Sequence, residues 1–421
     1  MNKVFKTLII ACAGMTILLS GCKGPGNSGP GNSSPVNIVE PAPEAIETIE
    51  AIEAINVYIE NSGSMDGYVN GVTEFEQTIY SYLTDIDISN ITDNLNLFYI
   101  NSKIIPFGSN VRDFIENLEP ATFKQRGGNR GTSDIANVID SVLSNTKKNT
   151  VSILITDGIF SPGKNIDADQ YLVSQKTTIR GNVVKYLEHN ANAAIIVYRL
   201  SSNFNGIYYN KIDARSNINE QRPYYIWVIG DAGQLNELRR KAPDSKFIGG
   251  GVKNVFSVSA GNRTVNYAVK QGSGEFKLDR QDPKKTILKW KKDSKGKTSG
   301  MAKFSVNANL SGFLLDNDCL LDESSYRLND NDFDLNITPA TGNQSGYTHS
   351  INLSTAILKK NFAVSVKLLI KIPQWIEDVN DDDGSEAVAD KTYGIKYQIQ
   401  GVYEAFTYKN DCYTEIKINI K

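Results

Sequence analysis

The chain has 421 residues, enough for two or three domains at roughly 150 residues each, and its 40% hydrophobic content is enough to bury real cores. Lys and Arg number 45 against 47 Asp and Glu, a net charge of -2. With no basic stripe interleaved with aromatics, this balance argues against a nucleic-acid surface.

Residues 1–21 read as a secretory signal. Lys3 and Lys6 precede the apolar run Leu8–Leu19, which is short for a bilayer span but right for a signal-peptide core. The run ends in Leu19-Ser20-Gly21-Cys22, which resembles a bacterial lipobox. That resemblance implies cleavage before Cys22 and acylation of its thiol, so that lipid chains, not a transmembrane helix, anchor the protein. The alternative is an ordinary secretory peptide that happens to end in Cys. Lys23, not an acidic residue, follows the Cys, and by likeness to other lipoproteins this points to the outer membrane, on either its periplasmic or its surface face.

Residues 22–54 then form a tether and stalk. The Gly/Pro/Ser/Asn-rich stretch Lys23–Pro43 would hold the globular part of the chain about 25 Å from the membrane on average. Four Glu-x-Ile units from Glu44 repeat with a period of three, which fits neither a helix face nor a strand, and they read as a solvated acidic stalk.

From residue 55 to 245, strand and helix patterns alternate. Strands are predicted at Ile55–Glu60, Asn96–Ile100, Ile104–Phe107, Thr150–Thr156, Ala193–Leu200 and Tyr224–Gly230. Helices are predicted at Val72–Leu83, Val111–Leu118, Ile135–Leu143, Tyr171–Glu188 and Leu235–Lys241. Alternation of this kind predicts an α/β fold with a doubly wound, mostly parallel sheet covered on both faces. Past Gly249-Gly-Gly251, from residue 246 to 421, only short strand signals separated by Asn, Asp, Gly and Ser are read, the last being Ala363–Ile370, Tyr393–Val402 and Tyr413–Ile420. They predict an all-β, sandwich-like region without helices.

Three segments fall at strand ends or helix starts, where open α/β sheets bind ligands. They are Glu60-Asn-Ser62-Gly-Ser64, Gly131-Thr132-Ser133-Asp134 and Thr156-Asp157-Gly158. Carboxylate and hydroxyl oxygens from separate loops suit a small hard cation, Mg²⁺ or Mn²⁺, with water completing the shell. Taken singly, Ser62 and Ser64 could serve a turn or helix cap, Ser133 and Asp134 a helix start, and Asp157 a turn before Gly158.

Taken together, the segments are similar to the metal-ion-dependent adhesion site of von Willebrand factor A (vWA) domains: an Asp-x-Ser-x-Ser loop, a distal Thr and a distal Asp. The resemblance covers about Ile55–Ala242. It implies Glu60, Ser62, Ser64, Asp157 and either Thr132 or Ser133 as direct or water-mediated ligands. It also implies adhesion or assembly through a partner protein's Asp or Glu carboxylate, without catalysis. Glu60 stands where the family has Asp, and its extra methylene pushes the carboxylate further into the site. A structural lipoprotein with a decayed metal site is therefore the second reading, and a metal-assisted hydrolase the third.

Other features carry less. The two histidines, His189 and His349, read as surface residues, and no phosphate loop, paired-Cys metal site or nucleophile elbow occurs. In the acidic run Asp378–Gly384, an EF-type register that places Gly384 sixth puts Val379 first, so a solvated loop is preferred to a calcium site. Phe204, Tyr208 and Tyr209 lie in the segment Ser201–Pro223, which reads as a hairpin packed on its own sheet or else as an exposed aromatic rim for a protein or glycan. Cys319 and Cys412 would remain after processing, either disulfide-bonded or as two free thiols.

Overall fold

The computed structural model describes residues 50–131, 134–260, 263–295, 298–341 and 346–421. The expected signal segment, Cys22 and the tether lie outside these residues, as do Thr132 and Ser133. Among the described residues no helix is long and apolar enough to cross a membrane.

A seven-stranded sheet organises the fold. In chain order its elements are β1 (Ala54–Glu60), α1 (Glu74–Ile88), β2 (Leu95–Ile100), β3 (Ile104–Gly108), α2 (Val111–Glu116), α3 (Pro120–Gln125), α4 (Ile135–Asn145), β4 (Thr150–Thr156), α5 (Ala168–His189), β5 (Ala193–Tyr209), β6 (Arg215–Asp231), α6 (Ala232–Lys241) and β7 (Asn254–Ser259). The strands lie in the order β3-β2-β1-β4-β6-β5-β7. β1 is parallel to both β2 and β4, and every other neighbouring pair is antiparallel.

β4 is buried at all seven positions, as a central strand covered on both faces should be. One apolar cluster joins Ile55, Val57 and Ile153 to α1, α2, α3 and α6. The other joins Tyr58, Leu154 and Trp227 to α4 and α5 and continues into the second half of the chain. Side-chain caps define the helix starts. Thr73 accepts from the Glu76 N–H, and Asp134 from those of Ala136 and Asn137.

Two differences from the expected alternation are instructive. β6 inserts antiparallel between β4 and β5, and the two long strands form a hairpin whose stem, Asn203–Tyr209 against Arg215–Gln221, runs well past the sheet. Phe204 and Tyr208 are each 3% exposed, so they pack inward and do not form an exposed aromatic rim. The segment Val255–Val258, expected among the later strands, lies in β7 and pairs with β5.

The later residues form two further sheets. One has five strands in the order Tyr326–Leu328, Phe362–Leu369, Cys412–Ile420, Thr286–Lys291, Glu275–Leu278. The other has four, in the order Asp334–Pro339, His349–Thr355, Ala302–Ala308, Tyr267–Val269. The helix-free expectation fails. Tyr393–Val402, expected as a strand, gives only Tyr393 to the two-residue strand Thr392–Tyr393, and a C-terminal helix then runs Ile395–Thr407. Its buried Ile395, Ile399, Val402 and Phe406 recur at helical spacing, and it packs against α5. Short helices also occur at Asn317–Leu321 and Trp375–Asp378.

Of the two readings left open for Cys319 and Cys412, the structure has the free thiols, and one smaller expectation is corrected. The Cys319 Sγ faces the Ser325 Oγ at 3.6 Å, while the Cys412 Sγ turns to the Asn410 Oδ1 at 3.2 Å. His349 is not a surface residue: it is 5% exposed, its Nδ1 lies 2.8 Å from the Thr348 hydroxyl, and burial lowers its pKa.

Candidate metal centre

From β1 the chain passes to β2 on one side, then returns to β4 on the other. The crevice between the carboxyl ends of β1 and β4 is thus the point where strand order reverses, the usual place for a ligand in an open α/β sheet. The parallel register sets Ile59 beside Ile155, so Glu60 and Thr156 end the two strands as neighbours.

Four sequence-predicted residues, from two of the three segments, meet there. Glu60 is 2% exposed and Asp157 1%. Ser62, also buried, opens the 3₁₀ turn Gly63–Gly67, and its Oγ lies 2.9 Å from the Ser64 Oγ. The Thr156 hydroxyl donates to the Glu60 Oε2 at 2.5 Å and accepts from the Gly158 N–H at 2.9 Å. The Asp157 Oδ1 accepts from the Ile159 N–H at 3.0 Å, whereas its Oδ2 is buried without any hydrogen-bond partner. Gly158 has φ +66, a left-handed conformation that suits glycine and lets the chain turn directly after Asp157.

Electrostatics follow from this crowding. Burial first, and the neighbouring Glu60 charge second, push the Asp157 carboxyl up from its ordinary 3.8 to about 7. The Ser64 hydroxyl, the Ile159 N–H and the Arg222 guanidinium act in the opposite sense. Two buried carboxylates side by side with an orphaned oxygen are costly for the protein alone, and a bound cation would relieve that cost.

Arg130, which the sequence did not single out, braces the loop. Its Nε donates to the Asn61 carbonyl at 2.7 Å and its Nη2 to the Ser62 carbonyl at 3.2 Å, with an ion pair to Asp66. The Gly63 N–H returns a bond to the Arg130 carbonyl at 3.0 Å. Burial raises the Asp66 pKa, and Arg130 offsets part of that rise. Behind the site, the Gln398 Nε2 of the C-terminal helix donates to the Gly158 carbonyl at 2.5 Å. Thr156, a hydroxyl directly before the predicted Asp157, was the one added residue with a local signal.

The donor set is hard oxygen throughout, and it fits Mg²⁺ or Mn²⁺: Glu60 and Asp157 would supply charge, Ser62 and Ser64 hydroxyls, and water the remainder. The described residues contain no group of three or more His, Cys, Asp or Glu placed to hold a metal, so any ion here relies on those hydroxyls. In the acidic run, Asp382 pairs with Lys396 and Asp383 with Lys211, while Asp381 accepts the N–H groups of Asp383 and Gly384. Those carboxylates are already engaged as a self-capped loop. No family model, curated protein or solved structure matches this chain.

Proposed function

We propose that this chain binds one divalent cation, Mg²⁺ or Mn²⁺, at the β1–β4 crevice and uses it to capture a carboxylate from a partner protein. Glu60, Ser62, Ser64 and Asp157 hold the ion, with Thr132 or Ser133 as the further hydroxyl that the vWA resemblance implies. The observation that carries this reading is the buried Asp157 Oδ2, unpartnered beside a second buried carboxylate. A bound ion leaves a coordination position for an incoming Asp or Glu oxygen, and the chain's own residues orient the site without forming or breaking a covalent bond. On this reading the protein is not an enzyme.

The finer fold belongs to the same proposal. The seven-stranded sheet with helices on both faces is read as vWA-like, and the two later sheets as a sandwich. Acylation of Cys22 would place the protein at the cell envelope, most simply on the outer membrane. A second reading rests on the Thr156–Glu60 bond and the raised Asp157: a proton held by the carboxylate pair could satisfy a decayed site without metal.

Pull-down from envelope membranes with the full chain, in Mg²⁺ and then in EDTA, tests the proposal. Capture of one protein that is lost in EDTA and lost with S62A/S64A supports it. Capture indifferent to both treatments favours the metal-free scaffold.

A further inference from the structure

A second charged groove lies away from the β1–β4 crevice, with a cavity of about 390 Å³ lined by Glu74, Arg199, Ser201, Gln221, Gly250, Lys253 and Asp390. We infer that this groove binds a small zwitterion of the α-amino acid class, its carboxylate on Arg199 and Lys253 and its ammonium on Glu74.

Arg199, on β5, is 5% exposed, a rare burial for a permanent cation. Its Nη1 donates to the Asn254 Oδ1 at 3.0 Å, and its Nη2 to the Asp390 carboxylate at 2.5 Å and the Asp390 carbonyl at 3.1 Å. Its Nε is buried with no partner. A guanidinium presents its donors as a planar fork suited to a carboxylate, and an unsatisfied buried N–H is a standing cost to the ligand-free protein. The resident counter-ion faces solvent: the Asp390 side chain is 63% exposed, on a residue with φ +63. A ligand carboxylate can therefore take its place. Lys253, exposed and tied to the same strand by its N–H bond to the Arg199 carbonyl at 2.9 Å, adds a second positive charge.

Glu74 supplies the opposite sign. The Asn203 N–H, 2.8 Å from Glu74 Oε2, holds its carboxyl below the ordinary range, so it is anionic at neutral pH. Its Oε1 receives only the Gln221 amide, at 3.4 Å, and retains capacity for a donor. Gln221 in turn accepts from the Ser201 hydroxyl at 3.1 Å, which links the two ends of the groove. The Gly249–Gly251 run brings the chain against this wall: a Cβ on Gly250 would lie 2.4 Å from the Ser201 carbonyl. A plain anion would meet Glu74 and a plain amine would meet Arg199 and Lys253, so a ligand with both charges is favoured over either alone.

The test is calorimetric titration of the full chain with glycine, L-glutamate, L-leucine and L-lysine, beside acetate and methylamine as half-ligands. At least one amino acid should bind, with acetate and methylamine weaker by about tenfold or more, as expected when a charged hydrogen bond is lost. K253A and E74Q, both at solvent-accessible positions, should each weaken that amino acid by about tenfold or more while keeping the wild-type circular dichroism and Tm within a few degrees. Acetate binding as tightly as the amino acids, affinity unchanged in both variants, or no binding of any amino acid at millimolar concentration would each overturn the inference. None of these outcomes bears on the metal proposal, because no residue is shared between the two sites.

Discussion

The Thr156 hydroxyl donates to the Glu60 Oε2 at 2.5 Å and, through the same oxygen, accepts the Gly158 N–H at 2.9 Å. One residue at the end of β4 thus aims the β1 carboxylate and pins the turn that carries Asp157. Because Thr156 is fully buried, removing its oxygen strands both partners. Thr156→Val should cost about 1–3 kcal/mol of stability, read by urea unfolding, and weaken Mn²⁺ binding. Thr156→Ser should recover most of both.

The raised Asp157 pKa gives a pH dependence with a definite sign. Between its ordinary 3.8 and about 7, the folded state holds a proton that the unfolded state has lost. Folded protein then binds more protons than unfolded, so metal-free stability falls as pH rises through that window. Divalent cation needs the deprotonated carboxylate, so its stabilising effect should grow over the same window. Urea midpoints measured across it, with EDTA and with Mg²⁺, should diverge as pH rises. Asp157→Asn should flatten the EDTA curve and abolish the divergence.

Arg130 offers a test of loop positioning. With its side chain 16% exposed, it ties the Asn61 and Ser62 carbonyls to Asp66. Arg130→Ala should destabilise by about 1–3 kcal/mol and weaken Mn²⁺ binding, since a partly buried, charged hydrogen-bond hub is lost and Asp66 loses its ion-pair partner. Arg130→Lys should recover little, because an ammonium cannot reproduce the planar fork.

The C-terminal helix contributes to the same site from behind. Gln398 is fully buried and reaches the Gly158 carbonyl at 2.5 Å. Gln398→Met keeps the volume and removes the donor, and it should lower stability by about 1–2 kcal/mol. If Gln398 instead only fills space, the methionine variant should unfold at the wild-type urea midpoint.

Much of this arrangement was legible in the sequence, for definable reasons. The run Thr150–Thr156 is apolar enough to demand cover on both faces, and the strand-end oxygens Glu60, Ser62, Ser64 and Asp157 need only that β1 and β4 lie side by side. The hairpin across Ser201–Pro223 was legible, but not that its arms continue β5 and β6, because Asn203, Asn205, Asn217 and Asn219 read as loop residues, whereas in the long hairpin they are exposed on its polar faces. The C-terminal helix was hidden by Tyr393, Ile395, Tyr397 and Ile399, whose alternation mimics a strand. Burial instead follows Ile395, Ile399, Val402 and Phe406. Arg130 left no local trace, because its partners are backbone carbonyls of Asn61 and Ser62, far away in sequence.

The most direct test of the central claim is calorimetric titration of Mn²⁺ into chelator-treated protein at neutral pH, for the wild type and for S62A/S64A. The wild type should show one saturable site and Mg²⁺ competition for its signal, and the double variant no binding. Absence of any Mn²⁺ binding by a folded wild-type protein, or binding that survives loss of both hydroxyls unchanged, would contradict that claim.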